Sequence, residues 1–206
     1  MFVPLLDRLL YRHPFEGESA RRYARDERPA FGDLDDRLLY DLDRELTGAR
    51  RVLDLGCGPA SFTARARARY PALTVIAVDP SRDFATRGVV RASGEALPLA
   101  SQSIDLAICL SSIRHVRDRA VTLRELRRVV RGSLVIVELD PAADRTRIAA
   151  HAHHLGSTVL RHAFGPLVCR TAPPAGAITE LAVAAGFSQR SLRADPIQPV
   201  YIMELV

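Results

Sequence analysis

The chain has 206 residues, of which 48% are hydrophobic and 26% charged, with a formal net charge of +5 and an isoelectric point near 9.6. These values are ordinary for a globular domain that buries a core. No stretch approaches the roughly 20 apolar residues that a membrane span needs, and the apolar start lacks the basic residues and small-residue cleavage site of a signal peptide.

The types of basic and sulfur-containing residues in the chain disfavour several classes of function. A basic chain is one signal of nucleic-acid binding, but all 29 basic residues are arginine, which indicates a composition bias and excludes lysine chemistry. Cys57, Cys109 and Cys169 are isolated and form no CxxC pair. This disfavours a disulfide framework or a cysteine zinc site and favours a reducing cytoplasm.

The first fifty residues predict helices. Leu34, Leu38, Leu42 and Leu46 follow helical spacing and form one apolar line. An earlier apolar stretch, residues 5–11, carries the same kind of pattern, and stretches rich in Pro and Gly separate the two.

From Arg51 onward, short apolar runs alternate with helical segments. The runs VLDL, LTVIAVD, IDLAICL and LVIVEL are typical of buried parallel strands. A helix is predicted between the runs IDLAICL and LVIVEL, with its leucines and valines facing inward and four arginines facing solvent, Arg124, Arg127, Arg128 and Arg131. Gly132 is predicted to end that helix. This alternation predicts an α/β sheet with right-handed crossovers.

The last third predicts helix and loop over residues 150–177, then a helix ended by Gly186. Two further strands should follow, joined at Asp195 and Pro196 and paired as a hairpin or sheet edge.

The loop after the first strand predicts a ligand site. Asp54 lies at the end of that strand, and Gly56 and Gly58 allow backbone angles and a close approach that side chains forbid. The next strand ends in Asp79, whose carboxylate can accept hydrogen bonds from both hydroxyls of a ribose. Ligands bind outside the carboxyl ends of such strands, so we expect a ribose-containing ligand rather than a plain tight turn.

These residues alone do not identify the ligand. A dinucleotide-binding loop would place a third glycine where Ser61 stands, and a second glycine pattern would place it where Ala60 stands. Pro59 and Ser61 suit a helix start.

Residues 92–140 carry a longer pattern. It comprises Glu95-Ala96-Leu97-Pro98, Ile104-Asp105-Leu106, His115, Arg124-Glu125-Leu126-Arg127-Arg128-Val129 and Leu134-Val135-Ile136-Val137-Glu138. With the glycine loop and VIAVDP, the chain here resembles class I S-adenosylmethionine-dependent methyltransferases, in particular the ubiquinone and menaquinone C-methyltransferase branch. The resemblance covers about residues 51–140.

The resemblance implies a Rossmann-like, doubly wound, seven-stranded sheet, mostly parallel with a reversed last strand, with N-terminal helices over the cofactor. The layout would be one domain, with a helical cap at 1–50, a cofactor-binding core at 51–140, a substrate-side segment at 141–175 and the last helix and two strands at 176–206. The cofactor would be S-adenosyl-L-methionine, leaving as S-adenosyl-L-homocysteine.

The resemblance also assigns cofactor contacts. The methionine and ribose portion of the cofactor would be lined by Asp54, Gly56, Cys57 and Gly58. Asp79 would hold the ribose hydroxyls, with Pro80 beside the adenine. The edge of the adenine would meet Ser93, Gly94 and Glu95, and the methyl donor would lie near Leu110 and Ser111. The chain departs from the family at Ala60, where a third glycine is usual, at Ser93, where an Asp is usual, and at residues 131–133, a shortened stretch expected in a surface turn.

For catalysis we predict His115, which follows the fourth strand on the ligand side and is suited to act as a base near neutral pH. A structural hydrogen bond is the alternative for this residue. Glu138 and Asp140 end the fifth strand and could face substrate, although Asp140 could equally cap a helix. Tyr11, His13 and Tyr23 belong to the N-terminal helices, where packing is the favoured role.

His151, His153, His154 and His162 suggest a metal, but no Asp, Glu or Cys follows at ligand spacing; we predict no metal and expect these histidines to face solvent or a substrate pocket. Arg161 and Arg170 could meet an acidic substrate.

The sequence therefore predicts a cytoplasmic enzyme that methylates a small molecule on oxygen, nitrogen or carbon. The alternatives are a cofactor-binding module without transfer, an RNA or other nucleic-acid methyltransferase, and a nicotinamide-dependent oxidoreductase.

Overall fold

The computed structural model describes residues 15–25, 31–85, 88–155 and 158–206. Its helices are α1 (Glu18–Arg25), α2 (Leu34–Asp41), α3 (Asp43–Gly48), α4 (Ser61–Arg69), α5 (Arg119–Val129), α6 (Arg145–His153), α7 (Thr158–Ala163) and α8 (Ala175–Ala184). A 3-10 turn spans Ile113–His115 and a π-helical segment spans Phe164–Cys169. The predicted helix at residues 5–11 lies outside the described residues, as do Tyr11 and His13.

Seven strands form one sheet in the order β3-β2-β1-β4-β5-β7-β6. They are β1 (Arg51–Leu55), β2 (Thr74–Asp79), β3 (Val89–Arg91), β4 (Ile104–Leu110), β5 (Val130–Leu139), β6 (Gln189–Ala194) and β7 (Val200–Leu205). Strands β1 to β5 pair in parallel, whereas β7 pairs antiparallel with β5 and β6. This confirms the predicted Rossmann-like sheet, including the hairpin at its end.

Both faces of the sheet are covered because the central strands are apolar on both sides. Along β4, Leu106 and Ile108 pack into one core with α2, α4 and α6. The intervening Ala107 and Cys109 pack into a second core with α5 and α8. Because both faces of these central strands are buried, their sequences are apolar at successive positions rather than at alternate ones.

Gly132 does not end a helix, contrary to the sequence prediction. Helix α5 ends at Val129 and the chain passes directly into β5, so residues 131–133 belong to a strand rather than a surface turn. A Cβ on Gly132 would stand 2.0 Å from the carbonyl oxygen of Asp105 on β4. Glycine is required there by the close approach of two backbones.

The predicted solvated arginine face of α5 is only partly correct. Arg124 is exposed, as expected. Arg127 donates to the carbonyl of Gly186, Arg128 pairs with Glu125 on its own helix, and Arg131 pairs with Asp105. Three of the four guanidinium groups therefore hold the fold together rather than forming an open basic stripe.

None of the helices in the described ranges combines the length and the apolar character that crossing a bilayer requires.

Candidate cofactor-binding site

The strand order reverses between β1 and β4, and the loops that follow these two strands pack against each other there. Gly56 has a φ of +71°, and its amide and that of Cys57 donate to the carbonyl of Val78 over 2.8 and 3.1 Å. The Ser112 hydroxyl donates to the carbonyl of Leu55 over 2.7 Å. A Cβ on Gly56 would stand 2.3 Å from Ser112 Cβ, so only glycine fits. The crevice lies where open α/β sheets bind ligands.

Asp79 connects the end of β2 to the glycine loop. Its side chain is nearly buried and accepts hydrogen bonds from the amides of Gly58 over 2.9 Å and Ser81 over 2.8 Å. Gly58 has a φ of +53°, and a Cβ there would stand 3.9 Å from ring atoms of both Tyr23 and Phe84. A side chain would fit at this distance, so it is the positive φ that favours glycine at this position, beside the two aromatic rings.

Asp54 is the second buried acid of the site. Only 2% of the residue is exposed, and it accepts a hydrogen bond of 2.6 Å from the Thr63 hydroxyl, in the first turn of α4. This contact fixes the carboxylate at the end of β1.

A cavity of about 270 Å³ opens between these elements. This is near the lower end of the roughly 300–1,000 Å³ typical of small-molecule sites. Most of the predicted site residues line it, namely Asp54, Gly56, Cys57, Gly58, Asp79, Pro80, Gly94, Leu110, Ser111 and His115. The structure therefore brings together ten of the residues named from the sequence.

Ser93 and Glu95 are not among the lining residues. The Ser93 hydroxyl donates to the Glu95 carboxylate, and Glu95 accepts a second hydrogen bond of 2.9 Å from the amide of Asp118. Asp118 is the N-cap of α5, so this pair shapes the loop after β3 and attaches it to a helix start. Contact of Ser93 and Glu95 with an adenine stays a prediction.

Three aromatic residues form a wall of the cavity, of which the sequence analysis named Tyr23, with packing as its favoured role, but not Phe15 or Phe84. The Phe15 ring lies 5.8 Å from that of Tyr23 and 6.1 Å from that of Phe84, and all three line the cavity. Asp83 anchors this wall, because it accepts from the amide of Gly17 over 2.7 Å and pairs with Arg21 over 2.9 Å. A signal was available, since Phe84 follows Asp79 by five positions in the same loop.

His115 also lines the cavity, from the 3-10 turn after β4. Its Nε2 accepts a hydrogen bond of 3.2 Å from Nε of Arg114. Arg114 in turn pairs with Glu138, whose carboxylate is completely buried. A nitrogen that accepts from a guanidinium carries no proton, so this contact favours the neutral imidazole, which is the form of a general base.

The other predicted catalytic candidates have different surroundings. Glu138 does not line the cavity, and Asp140 accepts from the amide of Ala142 over 2.8 Å in a turn. The N-cap of α6 is Asp144, not Asp140. Of the acids at the end of β5, neither faces the cavity.

The Cys57 thiol lines the cavity but is not a nucleophile. Burial raises its pKa well above the ordinary value, and the carboxylates of Asp54 and Asp79 raise it further. The sulfur therefore stays protonated at neutral pH.

His151 is a core residue, contrary to the expectation that it faces solvent or a substrate pocket. Its Nδ1 lies 2.8 Å from Oε1 of Gln198, and its ring stacks on Phe164 and meets the edge of Phe31. The remaining three, His153, His154 and His162, are exposed. Within the described parts of the chain, no group of three or more His, Cys, Asp or Glu residues could hold a metal ion.

The sheet, the glycine loop and the two strand-end acids define an α/β protein with a crevice for a nucleoside-containing ligand. The methyltransferase domain family matches residues 53–136. A ubiquinone/menaquinone biosynthesis C-methyltransferase, UbiE, of Syntrophotalea carbinolica is 33% identical over 57% of this chain and 62% of its own length. A malonyl-[acyl-carrier protein] O-methyltransferase of Legionella pneumophila is 28% identical over 53% of this chain and 43% of its own length.

A solved structure, a SAM-dependent methyltransferase from Aquifex aeolicus, aligns with a TM-score of 0.68 over 93% of this chain and 98% of its own, at 13% identity. Residues 53–136 therefore form a methyltransferase domain, and the fold is that of class I S-adenosylmethionine-dependent methyltransferases. The matched region spans less than two thirds of the length of either curated relative.

S-adenosyl-L-methionine is the cofactor of this family, and the residues of the cavity fit it. Gly58 lies beside Asp79, an acid that can accept hydrogen bonds from ribose hydroxyls. The buried Ser111 hydroxyl has no hydrogen-bond partner among the described residues and lines the same cavity. A buried hydroxyl without a hydrogen-bond partner is suited to form a hydrogen bond with a bound ligand.

Proposed function

We propose that this protein transfers the methyl group of S-adenosylmethionine to a small-molecule acceptor, on oxygen, nitrogen or carbon. One observation carries the proposal: Asp79, Gly58 and His115 all line one cavity. Cofactor and acceptor would therefore lie in one enclosed space, as group transfer requires.

The chain's own residues would hold and orient the reactants. Bound cofactor supplies a methyl group that its sulfonium already makes electrophilic. Asp79 would hold the ribose, while the wall of Phe15, Tyr23 and Phe84 would exclude water. An acceptor beside His115 could give its proton to Nε2. For this, Nε2 would first give up the hydrogen bond that it accepts from Arg114 and accept one from the acceptor instead.

The acceptor class draws support from the size of the cavity and from the relatives. About 270 Å³ cannot enclose a folded partner. One relative is named for C-methylation in ubiquinone/menaquinone biosynthesis, and the other is named a malonyl-[acyl-carrier protein] O-methyltransferase. Because most arginines of α5 are engaged within the protein, no continuous basic stripe favours nucleic acid. Residues 141–175 stay a proposed substrate-side segment, although none of the described residues that line the cavity belongs to it.

The test is formation of S-adenosylhomocysteine in the presence of a panel of quinols, phenols, amines and carboxylic acids. His115→Asn should lower kcat by about 10²–10⁴-fold with the acceptor that turns over, while S-adenosylhomocysteine binding stays unchanged. His162→Asn, at an exposed histidine outside the cavity, is the matched control.

Tight binding of S-adenosylhomocysteine without turnover of any acceptor would instead identify a module without transfer activity. Turnover of a labelled RNA, but of no small molecule, would overturn the acceptor class.

A further inference from the structure

A second concave site lies on the elements between β5 and α8, away from the cofactor cavity. It is a surface groove of about 450 Å³ formed by α6, α7 and the π-helical segment. Four basic side chains line it, Arg145, Arg161, His162 and Arg170, over an apolar floor that includes Ile148 and Ala152. We call it the arginine groove.

No acid balances this charge. Among the residues that line the arginine groove there is no Asp or Glu. Arg145, Arg161 and Arg170 form no ion pair with any carboxylate in the described ranges, whereas Arg147, on the same helix α6, pairs with Asp144 over 2.5 Å. Three arginines thus line one groove without an ion pair to a described carboxylate, which favours an anionic ligand.

Backbone carbonyls hold two of these guanidinium groups in position. Nε of Arg161 donates to the carbonyl of Leu155 over 2.7 Å, and Arg170 donates to the carbonyl of Pro141. Each contact uses a single N–H of a five-donor fork. The other donors meet no acceptor in the part of the chain that is described, so they can bind oxygen atoms of a ligand with little loss of freedom.

The arginine groove is separate from the cofactor cavity. The two share no lining residue. Phe31 lines the cavity, and its ring centroid lies 4.8 Å from that of His151, edge to face. The His151 ring in turn stacks on Phe164 at 4.6 Å between centroids, and Phe164 is followed by Gly165, which lines the groove. A row of packed rings, half-buried at Phe31 and buried at His151 and Phe164, therefore lies between residues of the two sites.

We propose that the arginine groove binds a phosphomonoester carried on a short aliphatic stem. Such a group carries a charge of about −1.5 to −2 near pH 7 and three acceptor oxygens, which matches three arginines better than a single carboxylate does. Guanidinium forks bind phosphate in a bidentate manner. The apolar floor at Ile148 and Ala152 would cover the stem.

The probe is n-octyl phosphate, titrated calorimetrically into the whole protein at low salt and below its micelle concentration. We expect one molecule to bind, and to bind equally well when S-adenosylhomocysteine is present. Arg145→Gln combined with Arg161→Gln should weaken binding by about tenfold or more, since each variant removes charge-assisted hydrogen bonds. Arg124→Gln combined with Arg190→Gln removes the same charge from exposed positions outside the groove and should leave binding unchanged.

Each other outcome contradicts the proposal in a specific way. Equal weakening in both double variants would show a net-charge effect without a site. If inorganic phosphate bound with equal affinity, the aliphatic stem would contribute nothing to binding. If octanoate bound with equal affinity, the groove would not prefer a phosphate to a carboxylate. Competition with S-adenosylhomocysteine would place the probe in the cofactor cavity instead.

Discussion

Nε of Arg114 lies 3.4 Å from Oε1 of Glu138, and the two side chains are 10% and 0% exposed. Glu138 also accepts hydrogen bonds from the amides of Leu139 and Arg114, over 2.7 and 3.3 Å. Since Arg114 donates to His115 as well, this buried pair sets the geometry of the turn that carries the proposed base.

Glu138→Ala should destabilise the protein by about 3–5 kcal/mol, because it leaves the Arg114 charge buried without its carboxylate. The control is Asp41→Ala, which breaks the pair with Arg193 in which both side chains are 42% exposed and should change stability by about 1 kcal/mol or less. Urea unfolding of both variants measures the difference. Equal losses in the two variants would show that the buried pair contributes no more than a surface pair.

Ala60→Gly should stabilise the protein by about 0.5–1 kcal/mol. Ala60 has a φ of +62° as the N-cap of α4, where a side chain costs about 1–2 kcal/mol, and part of this gain is offset by the greater freedom of glycine in the unfolded chain. The matched control is Ala64→Gly, an exposed position inside α4, which should destabilise by about 1 kcal/mol. If both changes destabilise alike, Ala60 is not strained.

Gly132→Ala should destabilise by at least about 2 kcal/mol, because the new Cβ meets the Asp105 carbonyl oxygen and two paired strands must move apart. Gly176→Ala, in the first turn of α8 with nothing within 4 Å of a new Cβ, should instead be neutral or stabilising by up to about 1 kcal/mol. Thermal unfolding of the two variants checks the contrast. A harmless Gly132→Ala would contradict the close strand approach.

The Cys57 thiol should react slowly with N-ethylmaleimide at pH 7.5 although it lines the cavity. Its pKa is raised, so the thiolate fraction is small at neutral pH and grows about tenfold for each pH unit while the pH stays below that pKa. Asp79→Asn removes one of the carboxylates that raise the pKa and should speed the reaction. Peptide mass mapping separates Cys57 from Cys109 and Cys169, and reaction at the rate of the urea-unfolded chain would contradict the prediction.

The features that the sequence predicted well are local. Strand ends, the glycines at positive φ and the acids Asp54 and Asp79 are determined by residues close in the chain, so the crevice could be located from the pattern alone. The strand β3 has only three residues, too few to show a period, and only the family resemblance implied a seventh strand.

The features that were missed depend on distant contacts. The need for glycine at position 132 comes from Asp105 on another strand. His151 is buried because Phe31 and Phe164 close around it. The aromatic wall unites Phe15 with Phe84, and no short sequence window contains both. The resemblance implied contacts of Ser93 and Glu95 with the cofactor, which stay a prediction; their hydrogen bonds to each other and to a helix start could not be read from the sequence.

The central claim is that the crevice after the first two strands holds the adenosyl group through Asp79. Calorimetric titration of S-adenosylhomocysteine into Asp79→Asn tests it most directly, with Asp36→Asn at an exposed surface ion pair as the control. Hydrogen bonds to a charged group contribute about 1.5–3 kcal/mol each, so losing the carboxylate from two ribose hydroxyls should weaken binding by about 100-fold or more while Asp36→Asn binds like the parent. A folded Asp79→Asn protein that binds S-adenosylhomocysteine within about twofold of the parent would contradict the account.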